Sequence, residues 1–166
     1  KIITIDKKIV DFMLKSNKSI EYMKYFYPEI RQHSLERYEK YKEKLHIKIN
    51  ENEDEHIKIR KIGENESFLC SLIRSDSVEQ FISYVNFNKL SLSKIEIKSS
   101  IYETNKLLKR KNLELIEYVA FFGSTQIFRY LKYNGIELKS SLWIYAIHSN
   151  NPEMIHLLEE NEVIPN

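Results

Sequence analysis

Apolar residues in the first fifty positions recur every three or four residues, which is the spacing of one helix face and predicts short helices. The first stripe follows Asp6, a residue that can cap a helix, and consists of Ile9, Val10, Met13 and Leu14. A second stretch begins at Ser19 and contains Ile20, Met23, Phe26 and Tyr27, before Pro28 interrupts it. Ser34 can open a third helix, whose apolar positions are Leu35, Tyr38, Leu45 and Ile49.

Residues 50–66, NENEDEHIKIRKIGENE, form the most polar stretch of the chain. We predict a linker or exposed loop here, with a short strand-like segment where Ile57 and Ile59 alternate with charged residues. This linker divides the chain into a helical N-terminal segment, residues 1–65, and a second domain, residues 66–166.

Beyond Ser67, short apolar segments alternate with polar breaks. The first of these segments is a helical stripe of Phe68, Leu69, Leu72 and Ile73. Ser77 and Gln80 have the spacing of a capping box, which predicts that a helix begins there. We expect an extended crossing over residues 86–99. Ser100 and Glu103 repeat the capping-box spacing and predict a further helix that carries Leu107 and Leu108.

The C-terminal part of the chain contains a repeat with an offset of 27 residues. LIEYVAFFGSTQIFRYLKYNGIEL, which begins at Leu115, aligns with LWIYAIHSNNPEMIHLLEENEVIP, which begins at Leu142. Each copy reads as a short helix, a polar break and a second helix. Gly123 and Asn150 occupy the break, where a left-handed backbone is expected, and Asn151 and Pro152 have the residue types of a helix start.

An earlier and weaker copy begins near Ser67. Its Phe81, Ile82, Tyr84 and Val85 match the later copy at an offset of 46, whereas the Ser77 position prefers 47, so two registers stay open. The three units are residues 67–88, 114–138 and 141–164. One short helix pair cannot bury its apolar faces alone, but stacked pairs cover each other, so we predict an all-α protein with a helical leader followed by a helix–turn–helix solenoid.

The residues around the breaks resemble an ankyrin repeat. The family pattern has a small pair three and four residues before a glycine, then I-V and L-L pairs, and then N-G. The first full copy matches this pattern with Val119-Ala120, Gly123, Ile127-Phe128, Tyr130-Leu131 and Asn134-Gly135. The second matches with Ala146-Ile147, Asn150, Met154-Ile155, Leu157-Leu158 and Asn161, and has Glu162 where glycine is usual.

Two departures from the ankyrin pattern stand out. The T-P-L-H opening is replaced by Leu115-Ile116-Glu117, and the period is 27 residues rather than about 33. The wording is similar to that of divergent short-repeat ankyrin proteins expanded in parasitic protists, in which a domain of unknown function precedes the repeats. The resemblance covers residues 66–164 and implies a protein-binding solenoid without catalytic activity.

Composition narrows the possible functions. Lys and Arg number 26 against 24 Asp and Glu, a net charge of +2, so we expect no nucleic-acid partner. No apolar run approaches about 18 residues, so we expect no membrane span. The first residue is Lys1 and no leader is visible, which predicts an intracellular and cytoplasmic protein. The missing Met and an ending in mid-pattern suggest a piece of a longer protein.

Candidate chemistry is sparse. Cys70 lies beside Leu69 and Leu72 and reads as a buried structural thiol rather than a nucleophile. Five histidines lack the close helical spacing of a zinc site, so we expect no metal, and we expect no cofactor. A basic cluster is predicted to be a solvated helix face, although phosphate binding is an alternative; it consists of Lys106, Lys109, Arg110 and Lys111.

In ankyrin-type stacks, the two residues before the turn position face a groove. The resemblance therefore implies a partner-binding site of Phe121, Phe122, His148 and Ser149, and, in the register of offset 46, Ser75 and Asp76. Two interpretations of the phenylalanines stay open: they anchor a partner, or they fill space between repeats that contain little alanine.

The sequence thus predicts a non-enzymatic scaffold or adaptor that binds a protein partner through stacked helix pairs. The alternative is a structural component of a larger assembly, such as a cytoskeletal complex, that docks through residues 1–65.

Overall fold

The computed structural model describes residues 7–15, 20–45 and 52–165. These residues form eleven α-helices and one two-stranded sheet, so the predicted all-α fold class is confirmed. The chain divides into two units, Lys1–Glu64 and Asn65–Asn166, each with its own internal contacts. The predicted caps at Asp6 and Ser19 and the apolar position at Ile49 lie outside the described residues.

The described part of the first unit contains five short helices: α1 (Lys7–Lys15), α2 (Ile20–Tyr25), α3 (Tyr27–His33), α4 (Leu35–Leu45) and α5 (Glu53–Ile62). Pro28 lies in the first turn of α3, where a missing backbone N–H costs nothing, so α2 and α3 are separate helices as the sequence indicates. Val10, Tyr27, Ile30 and Tyr38 form the buried core of this unit.

Helix α5 corrects the prediction for residues 50–66. The polar stretch is not a loop over residues 53–62, and Ile57 and Ile59 lie in a helix rather than a strand. The side chain of Asn52 caps this helix by accepting the backbone N–H of Glu55 at 3.2 Å. The acidic residues Glu53, Asp54 and Glu55 in the first turn favour the positive end of the helix dipole, and Gly63 ends the helix with a φ of 74°. Strong end signals therefore outweigh a weak apolar pattern here.

The second unit contains three helix pairs: α6 (Phe68–Arg74) with α7 (Val78–Phe87), α8 (Leu115–Phe122) with α9 (Thr125–Tyr133), and α10 (Leu142–Ser149) with α11 (Pro152–Glu160). Between the first and second pairs lie a 3-10 turn (Leu92–Lys94) and the strands β1 (Glu96–Ile97) and β2 (Leu113–Glu114). The strands are antiparallel, with Glu96 opposite Glu114. Helix α8 packs against both α6 and α10 and places Tyr118, Val119 and Ala120 in the core.

The 27-residue offset holds at the bounds of all four helices in the last two pairs. Gly123 and Asn150 have left-handed φ values of 65° and 51°, as predicted, and the side chain of Asn151 caps α11. The register of the first pair is settled by helix length. The offset is 47 at the start of α7 and 46 at its end, because α7 has ten residues and α9 has nine.

Two predicted capping boxes are wrong. Helix α7 begins after Ser77, but the Ser77 side chain makes no cap bond and lies 2.9 Å from the Ser75 hydroxyl instead. No helix follows Ser100 in the described residues 100–112. The Ser100 hydroxyl accepts the backbone N–H of Tyr102 at 3.0 Å, and Glu103 accepts that of Asn105 at 2.8 Å, so both side chains stabilise local turns.

Candidate functional site

The structure places the predicted site at the turns that join the two helices of each pair. Asp76, Gly123 and Asn150 occupy equivalent positions in these turns, with φ values of 47°, 65° and 51°. The residues just before them are Arg74 and Ser75, Phe121 and Phe122, and His148 and Ser149.

The assignment of Asp76 to the pair of residues before the turn is therefore wrong. Its carboxylate accepts the backbone N–H groups of Gln126 and Ile127, each at 3.0 Å, at the start of α9. The error follows from the offset of 46, which is correct at the end of α7 but one residue short at its beginning. In the correct register Arg74 precedes Ser75 and belongs to the candidate site.

Aromatic rings connect the second and third pairs. The Phe121 ring on α8 stacks on the His148 imidazole on α10, with centroids 5.5 Å apart and planes 20° apart. Phe121 also meets Phe122 edge-on at 5.1 Å. Both phenylalanines are half-buried and His148 is exposed, so the stack contributes to packing and also presents a surface to solvent.

Arg74 adds a positive charge to this aromatic group. Its guanidinium lies 5.9 Å from the centre of the Phe122 ring, within the range of a cation–π contact. The same group donates to the Tyr118 hydroxyl at 2.9 Å and to the backbone carbonyl of Asn65 at 2.8 Å, which fixes its position. We call Arg74, Phe121, Phe122 and His148 the turn-edge face.

The two serines of the predicted site face the backbone. Ser75 Oγ lies 3.0 Å from the Ser71 carbonyl and 3.1 Å from that of Leu72, and it donates to this pair of acceptors. Ser149 Oγ donates to the Ala146 carbonyl at 2.7 Å and accepts the Asn151 backbone N–H at 3.1 Å. Both hydroxyls thus stabilise turns and are not directed at a partner.

Buried titratable groups lie beneath the turn-edge face. Cys70 is buried, as predicted, and burial raises the pKa of its thiol. Burial likewise raises the pKa of the Tyr118 hydroxyl, so both groups are neutral at pH 7. A neutral phenol can accept the Arg74 hydrogen bond, and a neutral thiol is a poor nucleophile.

The basic cluster does not form a helix face. Its residues lie in the irregular segment between β1 and β2, which corrects the helix predicted there. Arg110 forms an ion pair with the buried Glu117 carboxylate, and its guanidinium lies 5.6 Å from the centre of the Tyr145 ring. This hydrogen bond and ion pair raise the pKa of Arg110 and engage the central charge of the cluster within the fold.

Among the described residues, no group of three or more His, Cys, Asp or Glu side chains is arranged to hold a metal ion. Within the same ranges, every helix is too short or too polar to cross a bilayer. The turn-edge face therefore offers ring surfaces, an imidazole and a guanidinium, which suit the recognition of an apolar or aromatic side chain next to an acidic group.

Comparisons with known proteins return nothing: no family model matches the chain, and no curated protein or solved structure matches it significantly.

Proposed function

We propose that this protein is a non-catalytic binding module that recognises a protein partner through the turn-edge face. The observation that carries the proposal is the Phe121–His148 stack, which spans two adjacent helix pairs and lies beside the Arg74 guanidinium. Aromatic and arginine side chains contribute most of the energy in many protein interfaces.

We further propose that the three helix pairs form a short solenoid of the ankyrin type. The matched bounds of the last two pairs, the left-handed residue in each turn and the burial of the facing helices support this idea. In such a solenoid the turn-edge face would lie along one groove. As part of the same proposal, the module works inside the cell, in the cytoplasm.

A preformed surface has a physical advantage for binding. The turn-edge side chains are held by stacking and by two hydrogen bonds from Arg74, so little conformational entropy is lost when a partner docks. The partner we expect is a protein segment with an apolar or aromatic side chain next to a carboxylate, because the rings would receive the first group and Arg74 the second.

Selection of binding peptides from a displayed library, with the full chain as bait, tests this function. We expect enriched peptides to carry the apolar–acidic pair and to bind the Phe121→Ala or His148→Ala variant at least about tenfold more weakly, a loss of about 1.4 kcal/mol. Tyr133→Ala is the matched control, because Tyr133 is an exposed aromatic residue outside the turn-edge face.

Thermal melting of each variant separates recognition from packing. A steep fall in melting temperature, together with unchanged peptide affinity of the folded variant, would show that Phe121 fills space between repeats. Peptides that bind the variants as tightly as the original chain would contradict the proposed function.

A further inference from the structure

The two ends of the row of helix pairs differ from its middle in which positions are buried. Each residue of one pair has a counterpart in the other two, at offsets of 27 and 47 residues for the first helices. A position that is buried in two pairs and exposed in the third therefore marks a face that a neighbouring pair normally covers.

One such face lies on α10. Ile147 is 67% exposed, whereas its counterparts Ala120 and Ile73 are fully buried. Ile144, two positions before the buried Ala146, is 50% exposed, and its counterparts Glu117 and Cys70 are buried as well. The sequence of α10, LWIYAIHS, contains no Asp, Glu, Lys or Arg. We call Ile144 and Ile147 the α10 ridge.

The other face lies on the first pair. Phe68 is 59% exposed, whereas its counterparts Leu115 and Leu142 are buried. The Phe68 ring meets Tyr84 edge-on at 5.4 Å, and together with Phe87 they line an open groove of about 440 Å³. We call this the α6–α7 groove; its remaining walls are Glu79, Gln80 and Ser83.

We propose that copies of this chain associate head to tail, with the α10 ridge of one copy seated in the α6–α7 groove of the next. Within one chain, α8 packs against α6 and α10 packs against α8, so contact between successive first helices already exists twice. The same contact between chains would cover both apolar faces at once.

This arrangement has a defined symmetry. The ridge and the groove are different surfaces, so the contact is heterologous, and repeated addition produces an open chain of copies unless the rotation closes a ring. Terminal repeats of solenoids ordinarily carry polar outer faces that prevent such growth, and here both outer faces are apolar. The inference does not use the turn-edge face and is independent of the proposed partner binding.

Sedimentation velocity on the full chain tests the idea, between about 10 µM and about 1 mM, because a small interface of this kind associates weakly. We expect the average mass to rise with concentration. Ile147→Glu leaves the groove intact and removes the ridge, while Phe68→Glu does the reverse, so each variant alone should stay monomeric throughout this range.

Mixing the two variants is the decisive step. One intact ridge and one intact groove remain in the mixture, so we expect a 1:1 heterodimer that grows no further. Tyr133→Glu, which changes a side chain that is 91% exposed on α9, should associate like the original chain. Circular dichroism checks that each variant is folded, and Ile144→Glu and Phe87→Glu replace either variant that is not.

Three outcomes would overturn the inference. An original chain that stays monomeric up to about 1 mM would show that the ridge and groove do not bind each other. Association that survives both end variants would show that another surface is responsible. Failure of the mixed variants to form a heterodimer would exclude the head-to-tail contact and leave a symmetric one.

Discussion

Three different residues solve the same backbone problem in the turns of the second unit. Asp76, Gly123 and Asn150 all have positive φ values, and each side chain suits its surroundings. The Asp76 carboxylate binds backbone N–H groups of α9, and Asn150 is a residue type that tolerates the left-handed region. Gly123 is glycine for a second reason, because a Cβ atom there would lie 2.9 Å from the Cβ of Asn151.

The first prediction concerns this crowding. Gly123→Ala should lower the free energy of unfolding of the second unit by about 3 kcal/mol, which combines left-handed strain with overpacking against Asn151. Gly135→Ala is the matched control, since Gly135 has a similar φ of 78° and no atom lies within 4 Å of the place that the alanine methyl group would take. Its loss should be about 1 kcal/mol.

Urea unfolding followed by the fluorescence of Trp143, the single tryptophan of the chain, measures both losses. The Trp143 indole donates to the Val163 carbonyl at 2.8 Å, so its signal reports on the folded third pair. Equal losses for the two alanine variants would mean that the Asn151 contact relaxes at no cost.

Helix starts in the second unit are held by residues of a neighbouring pair. Asp76 in the first pair binds the start of α9, and the Ser124 hydroxyl returns a hydrogen bond of 2.6 Å to the Ile73 carbonyl. Asn151 in the third pair donates to the Gly123 carbonyl at 2.9 Å. The turns thus connect successive pairs by polar contacts, in addition to the apolar packing of α6, α8 and α10.

The second prediction isolates the cap of α9. Asp76→Ala removes the acceptor for two backbone N–H groups and should cost about 2 kcal/mol of the free energy of unfolding. Asp76→Asn keeps one acceptor oxygen and a residue type that adopts positive φ, so it should cost less than half as much. The Trp143 unfolding signal measures both variants, and equal losses for Ala and Asn would contradict the capping role.

At this scale the sequence predicts repetition well. The offset of 27 residues gives the last two pairs correctly, because the same apolar spacing recurs and because Gly123, Asn150 and Pro152 mark the helix ends. The stacked Phe121 and His148 are also found by this alignment, since both directly follow the apolar face of a first helix.

The errors arise where distant residues decide the local structure. The Ser77 and Ser100 spacings suit a capping box, but the chain uses Asp76 to cap a helix 50 residues away and folds residues 100–112 into turns. Arg74 is missed because a single extra residue in α7 shifts the register. Its signal, a basic residue at the end of an apolar helix, has no meaning until Phe122 is placed beside it.

The whole molecule consists of two units with different responses to acid. In the first unit, Arg60 donates to both oxygens of the Glu29 carboxylate at 2.9 and 2.5 Å and to the Tyr25 carbonyl at 3.0 Å. Burial raises the pKa of Glu29, but the hydrogen bonds and charge of Arg60 outweigh it, so the net pKa is lowered. Burial lowers the pKa of His56, whose Nε2 donates to the same Tyr25 carbonyl at 2.9 Å.

Both shifts act in the same direction. A group with a lowered pKa binds fewer protons in the folded unit than in the unfolded chain, so its contribution to stability is lost as the pH falls. For His56 the loss begins below its ordinary value of 6.5, and for Glu29 it begins below 4.5. In the second unit the shifted groups have raised pKa values and titrate above pH 7; they are Cys70, Arg110, Tyr118, Lys139 and Tyr145.

The last prediction follows from this difference. Acidification from pH 7 to pH 5 should lower the hydrogen-exchange protection of residues 20–45, after correction for intrinsic exchange, and should leave α8 to α11 unchanged. His56→Gln keeps an N–H donor for the Tyr25 carbonyl but cannot gain a proton, so in this variant the first unit should lose its response between pH 7 and pH 5. A response that persists in His56→Gln would assign it to another group, and equal loss of protection in both units would show that the two units do not respond to acid differently.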